Sequence, residues 1–168
     1  MNMVKAVYAG SFDPLTVGHM SIIERSAKIF NRLVIVVGTN ADKKDQYMFS
    51  AEERKRMIEE SVKHLSNTEV AILDNAFIVK YASVIKADVL VRGIRSPEDF
   101  QHESLMDEAN SLMDPTITTI FMRPPKGIEH VSSSFVKRYI VGPDDWQDAV
   151  RKYVPEPVAK ALEAKLSR

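Results

Sequence analysis

Tyr8-Ala9-Gly10-Ser11-Phe12-Asp13-Pro14-Leu15-Thr16-Val17-Gly18-His19 is the stretch whose reading decides the fold of this chain. Before it, Lys5 to Ala9 alternates weakly and meets a glycine. After it, Met20, Ile23, Ala27 and Phe30 recur at helical spacing. The order is strand, loop, helix. Asp13-Pro14 suits a turn, and Gly18-His19 falls at the helix start. The first N–H groups of a helix lack intrahelical partners and the dipole is positive there, so the stretch reads as a phosphate cradle. It is expected to aim free backbone N–H groups and an imidazole at one point.

The pattern repeats downstream. Leu33 to Gly38 is a nearly unbroken β-branched run, expected as a central strand covered on both faces. Thr39 to Phe49 is polar, carries Lys43-Lys44 and reads as a loop, and Ser50-Ala51-Glu52-Glu53 matches a capping box ahead of a second helix. Glu69 to Leu73 reads as a third strand, Ile78 to Lys86 as a short helix, and Asp88 to Val91 as a fourth strand ending at Arg92-Gly93-Ile94-Arg95. Ser96-Pro97-Glu98-Asp99 starts a longer helix that runs to Met113, and Thr116 to Met122 supplies a fifth strand. Ser132-Ser133-Ser134 precedes another helix, and Pro155 to Leu166 forms an outer one. Strands alternating with helices over short connections imply an α/β fold: a Rossmann-like, doubly wound, five-stranded parallel sheet with flanking helices. Ligands of such sheets lie beyond the strand C-termini, where strand order reverses.

Composition narrows the chemistry. The 168 residues fit one domain, 1–168, and no repeat or linker divides them. Without cysteine there are no disulfides, thiolate catalysts or Cys-held metals. The 23 basic and 23 acidic residues cancel, which argues against a dedicated nucleic-acid binder. No apolar run is long enough to cross a bilayer and no secretory leader is visible, so a cytoplasmic protein is expected. His64, His102 and His130 lack metal-ligand spacing, and no protein-held metal is expected.

Gly10 to His19, Arg92-Gly93-Ile94-Arg95 and Val131-Ser132-Ser133-Ser134 stand in that order at the ends of predicted strands. With these motifs the chain resembles the bacterial phosphopantetheine adenylyltransferases of the nucleotidylyltransferase superfamily, marked by a Thr/His-x-Gly-His segment and a downstream Ser-rich motif. The resemblance implies transfer of AMP from ATP to 4′-phosphopantetheine, giving dephospho-coenzyme A and pyrophosphate, with Mg2+ accompanying the nucleotide. It also implies a homohexamer and coenzyme A as a feedback inhibitor.

Residue by residue, the resemblance gives His19 contact with the transferring phosphate and makes Ser11 the group that orients the attacking one. Gly18 is read as admitting a close approach of the backbone. Lys43 matches a loop lysine that stabilises the transition state, with Lys44 as its rival. Arg92 and Arg95 match arginines for the pantetheine phosphate and the ATP phosphates. Ser132, Ser133 and Ser134, with Val131, offer hydroxyls and N–H groups to the β- and γ-phosphates. Gly10, Phe12, Gly93, Asp99 and Glu103 complete the ATP set. Phe77, Ile78, Met106 and Asn110 are assigned to the acceptor. Departures from the family pattern lie at Asn40-Ala41-Asp42 before Lys43, at Asn75 to Val79, at His102 and at Ala109.

Each position also has a plainer reading. His19 would cap its own helix, the arginines would form surface ion pairs, one serine would be an ordinary N-cap, and Glu103 would sit on a solvated face. The rival functions are a nucleotidylyltransferase for another phosphorylated acceptor and a non-catalytic nucleotide- or coenzyme A-binding regulator.

Overall fold

A computed structural model describes residues 3–140 and 145–166, with side chains for all of these except Lys43, Lys44 and Ile140. The elements run Lys5–Gly10 (β1), Val17–Ile29 (α1), Arg32–Thr39 (β2), Ala51–Ser61 (α2), Thr68–Asp74 (β3), Ile78–Val84 (α3) and Val89–Gly93 (β4). Pro97–Met113 (α4), Thr118–Met122 (β5), Ser133–Ile140 (α5), Trp146–Val150 (α6) and Glu156–Leu166 (α7) follow.

All five strands are parallel, in the order β3-β2-β1-β4-β5. Beyond β1 the chain winds one way through β2 and β3, then crosses back to lay β4 on the other side of β1. The order therefore reverses between β1 and β4, and Tyr8 stands in register with Ile35 on one side and Val91 on the other. Ligand clefts of doubly wound sheets open at such a point.

The β2 run is apolar throughout because both faces are covered. Leu33, Ile35 and Val37 join a core cluster with Ile23 of α1, Ile58 of α2 and Leu162 of α7, whereas Val34 and Val36 join another with Val79 and Ala82 of α3. It is an interior strand, although the middle of the sheet belongs to β1.

The helix starts follow their caps. Ser50 Oγ accepts the Glu53 N–H at 3.2 Å while the Glu53 carboxylate accepts the Ser50 N–H at 2.7 Å, the reciprocal box expected from sequence. Ser96 accepts the Asp99 N–H at 3.2 Å, with Pro97 in the first turn of α4.

Three expectations change. The loop after β2 holds a short 3₁₀ helix, Ala41–Gln46, started by Asn40 Oδ1 accepting the Asp42 N–H at 2.9 Å. The fifth strand starts at Thr118, because Asp114 Oδ1 accepts from both the Thr116 N–H and its hydroxyl, at 3.0 and 2.6 Å, and holds that residue in a turn. The helix α6 is additional. The helix α4 buries only Asn110 and leaves Leu105 and Leu112 64% and 89% exposed.

Candidate active site

At the end of β1 the chain turns through Phe12, whose φ of 48° is unusual for a residue with a side chain. Its ring turns inward, edge-on to Tyr8 at 5.5 Å and to His19 at 5.2 Å. Asp13, 2% exposed, accepts the N–H groups of Met48 and Phe49 at 2.8 and 2.9 Å, so the cradle is tied to the segment leading into α2. A second tie comes from the buried Arg54, which donates to the carbonyls of Ser11 (2.6 Å), Gly38 (3.1 Å) and Phe49 (3.1 Å).

Thr16 caps α1. Its Oγ1 accepts the His19 N–H at 3.4 Å, and its own N–H donates to His19 Nδ1 at 3.1 Å. The histidine thus caps its own helix and also lines the cleft. Because Nδ1 accepts, the ring proton belongs on Nε2. Burial, and secondarily the Arg95 charge, lower the pKa of His19 to about 4. At neutral pH the ring is therefore an uncharged N–H donor. Burial also keeps the Tyr8 phenol protonated.

The end of β4 brings two guanidinium groups. Arg92 donates through Nε and Nη2 to the Glu103 carboxylate at 2.5 and 3.0 Å, and Arg95 donates through Nε to Asp99 at 2.9 Å. Both are ion-paired to α4 and both line the cleft. A bidentate pair holds the Arg92 plane in a fixed orientation.

The third wall is the start of α5. Ser132 Oγ accepts the Phe135 N–H at 3.1 Å, and Ser133 Oγ donates to the Pro14 carbonyl at 2.9 Å. The N–H groups of Ser133 and Ser134, in the first helical turn, have no hydrogen-bond partner among the described residues. A Cβ on Gly18 would lie 2.8 Å from the Val131 carbonyl oxygen. The close approach that Gly18 permits is therefore to the chain just before the serines, and it sets the two helix starts against each other.

These walls enclose a cavity of about 300 Å³ at the β1/β4 reversal. Gly10, Ser11, Gly18, His19, Arg92, Gly93, Arg95, Glu103 and Val131 to Ser134 line it, together with Tyr8, Ala9, Ile22 and Pro124. A second compartment of about 430 Å³ shares Ser11, Ser133 and Ser134 and extends to Thr39, Gln46, Tyr47 and Lys137.

Other expected residues lie elsewhere. Phe12 supports His19 from the core, and Asp99 acts on Arg95 from outside the cavity wall. Phe77 is exposed at the start of α3, Ile78 packs against the second core cluster, Met106 is exposed on α4 and Asn110 is buried there; none lines the cavity. The Lys43 side chain lies outside the described residues. Tyr8, Arg54 and Lys137 carry no role in the sequence reading, and Thr16 enters it only as the first residue of the Thr-x-Gly-His segment. A signal existed for two of them: Thr16 stands three residues before His19, and Lys137 four residues after Ser133.

Residues 7–139 match the cytidylyltransferase-like family. Over 160 residues the chain is 41% identical to the phosphopantetheine adenylyltransferase of Chromobacterium violaceum, covering 95% of this chain and 96% of that one. The chain belongs to the phosphopantetheine adenylyltransferase family. The enzyme of that name from Rhodopirellula baltica is 41% identical over 162 residues, 96% of this chain and 88% of the other. The Plasmodium falciparum nicotinic acid mononucleotide adenylyltransferase complexed with NaAD superposes with a TM-score of 0.63 at 17% identity, covering 98% and 96% of the two chains, and shares the fold. In this phosphopantetheine adenylyltransferase family member, the α4 departures His102 and Ala109 are both exposed, away from the cavity wall.

Proposed function

We infer that this chain, as one nucleotidylyltransferase domain, transfers the adenylyl group of ATP to 4′-phosphopantetheine, giving dephospho-coenzyme A and pyrophosphate. The observation that carries the reading, beside the near full-length kinship, is the cavity at the β1/β4 reversal. There an uncharged imidazole donor, two ion-paired guanidinium groups and the unpartnered N–H groups of α5 converge.

The reaction is an in-line displacement: an acceptor phosphate oxygen bonds to the α-phosphorus while the bond to pyrophosphate breaks. Such a step needs positioning and charge stabilisation more than covalent chemistry. Ser11, on the wall common to both compartments, orients the attacking phosphate. His19 donates Nε2–H to a non-bridging α-phosphate oxygen as its charge grows. Ser132 to Ser134 hold the β- and γ-phosphates, Arg95 meets the ATP phosphates, and Arg92, fixed by Glu103, meets the acceptor phosphate. Lys43 adds a cation from the 3₁₀ segment.

Among the described residues no cluster of three His, Asp or Glu side chains could hold a metal, and Glu103 on the cavity wall is engaged by Arg92. This donor set fits a Mg2+ ion that arrives on the nucleotide and supplies charge neutralisation there. Assembly as a homohexamer, feedback inhibition by coenzyme A and a cytoplasmic location belong to the same reading. The exposed Leu105 and Leu112 of α4 are apolar surface that assembly would cover, and no described helix is long and apolar enough to cross a membrane.

The test is pyrophosphate release from ATP with Mg2+ and 4′-phosphopantetheine, followed in both directions. Turnover with that acceptor is expected. Turnover only with another phosphate monoester, such as nicotinamide mononucleotide, or nucleotide binding without turnover, would overturn the assignment.

A further inference from the structure

The helix α5 carries a cation that the reaction described above does not use. Lys137 follows Ser133 by four residues and Ser134 by three, so it leaves the helix from the face those serines share. Its Nζ donates to Asp13 Oδ2 at 2.6 Å and lies on the wall of the second compartment, beside Ser11 and Thr39.

The bland reading is an ion pair that serves only Asp13. Three observations go further. Asp13 already accepts two backbone N–H groups, at 2.8 and 2.9 Å, so its carboxylate has partners besides the lysine. An ammonium has three donors, and among the described residues Lys137 gives one, to Asp13. The Lys137 side chain keeps 34% exposure, on the wall of the compartment that meets the first cavity at Ser11, Ser133 and Ser134. Among the described side chains lining that compartment, it is the one cation.

We propose that Lys137 is a further phosphate-binding residue, whose ammonium donates to an oxygen of a phosphate group lying across the seam between Ser11 and Ser133. The inference rests on the adenylyl-transfer reading. Asp13 is the positioning residue: it aims the ammonium, and through Met48 and Phe49 it ties the lysine to the segment leading into α2. The phosphate at the seam belongs either to the acceptor or to the pyrophosphate end of the nucleotide, which present the same oxygens.

Steady-state kinetics of Lys137→Met and Lys137→Arg in both directions, with thermal melting, test this. Lys137→Met should lower kcat/KM by roughly 10–100-fold, the effect of losing a hydrogen bond to a charged group, and Lys137→Arg should recover most of it. A KM increase confined to 4′-phosphopantetheine and dephospho-coenzyme A places the acceptor phosphate at the seam, whereas one confined to ATP and pyrophosphate places the leaving group there. A lower melting temperature with kcat and every KM unchanged would overturn the proposal. Should Lys137→Met not fold, the double variant Asp13→Asn, Lys137→Met removes both charges together, and unchanged KM values in it would have the same force. Calorimetric binding of inorganic phosphate and pyrophosphate separates this inference from the one it rests on. Weaker binding of either by Lys137→Met supports the lysine even where 4′-phosphopantetheine is not turned over, and equal binding of both overturns it.

Discussion

Two helix starts face each other across the cavity, and they serve an anion in different ways. At α1 the backbone donors are largely committed: the Val17 N–H goes to the Tyr153 carbonyl at 2.9 Å and the His19 N–H to Thr16 Oγ1. What α1 presents is the far edge of one imidazole, with the Gly18 N–H as the one first-turn backbone donor lacking a partner among the described residues. At α5 the serine hydroxyls turn to Phe135 and Pro14, and the N–H groups of Ser133 and Ser134 keep no partner among the described residues. A helix N-terminus is an anion site only as far as its own caps leave donors over. On the proposed function, α1 would turn chiefly one side-chain donor to an oxygen on the reacting phosphorus, and α5 a patch of donors to the phosphates that leave.

The largest effect should come from the directed donor. His19→Ala should lower kcat by about 10²–10³, the usual result of removing a preorganised transition-state donor worth about 2.7–4 kcal/mol, while ATP affinity stays near the wild-type value. Single-turnover rates and equilibrium binding measure the two separately. An equal loss in both would erase the distinction between the starts.

Ser133 probes the other side. Ser133→Ala removes a hydroxyl held by Pro14, whereas Ser133→Pro also removes the N–H at a first-turn position where proline is tolerated. The proline variant should bind ATP about tenfold more weakly than the alanine variant, with a smaller change in kcat. Equal affinities would mean that the patch acts through hydroxyls alone.

A third effect is one of pH. An unfolded histidine titrates near 6.5, and His19 in the folded chain near 4. Above pH 6.5 neither state binds the proton, so His19 adds no pH dependence. Below it the unfolded state takes up a proton that the folded state refuses, and stability falls as pH drops from 6.5 toward 4, by at most about 1.4 kcal/mol per unit. Urea unfolding at pH 7, 5.5 and 4.5 should show that slope in the wild type and a shallower one in His19→Ala. The same slope in both would place the buried charge penalty elsewhere.

Sequence carried the local grammar of this fold well. Gly10, the Ser50 box and the Ser96-Pro97 start each mark a boundary by chemistry that acts within a few residues, and the structure keeps them. Strand order was harder: an apolar run shows that β2 is covered on both faces, but which strand occupies the middle depends on long-range pairing. The five residues of α6 are too few to show a period. In the site, residues beside strand ends and helix starts were legible because topology gathers those ends. For Lys137 the spacing from Ser133 gives the helix face and no partner, since Asp13 stands 124 positions away and the two meet only once α5 packs against the cradle. Phe12 differs from its neighbours in sequence: they line the cavity while its own ring turns into the core.

The contact of Gly18 with the Val131 carbonyl bears on how such a site can change over generations. Its spacing is set where two backbones come together, so no side chain lies in the Gly18–Val131 contact for mutation to lengthen or trim. The helix α4 is the opposite case, with most of its side chains outside the core and open to replacement one at a time. Replacements at His102 and Ala109 fall on exposed positions away from the cavity wall and leave the Gly18–Val131 contact undisturbed.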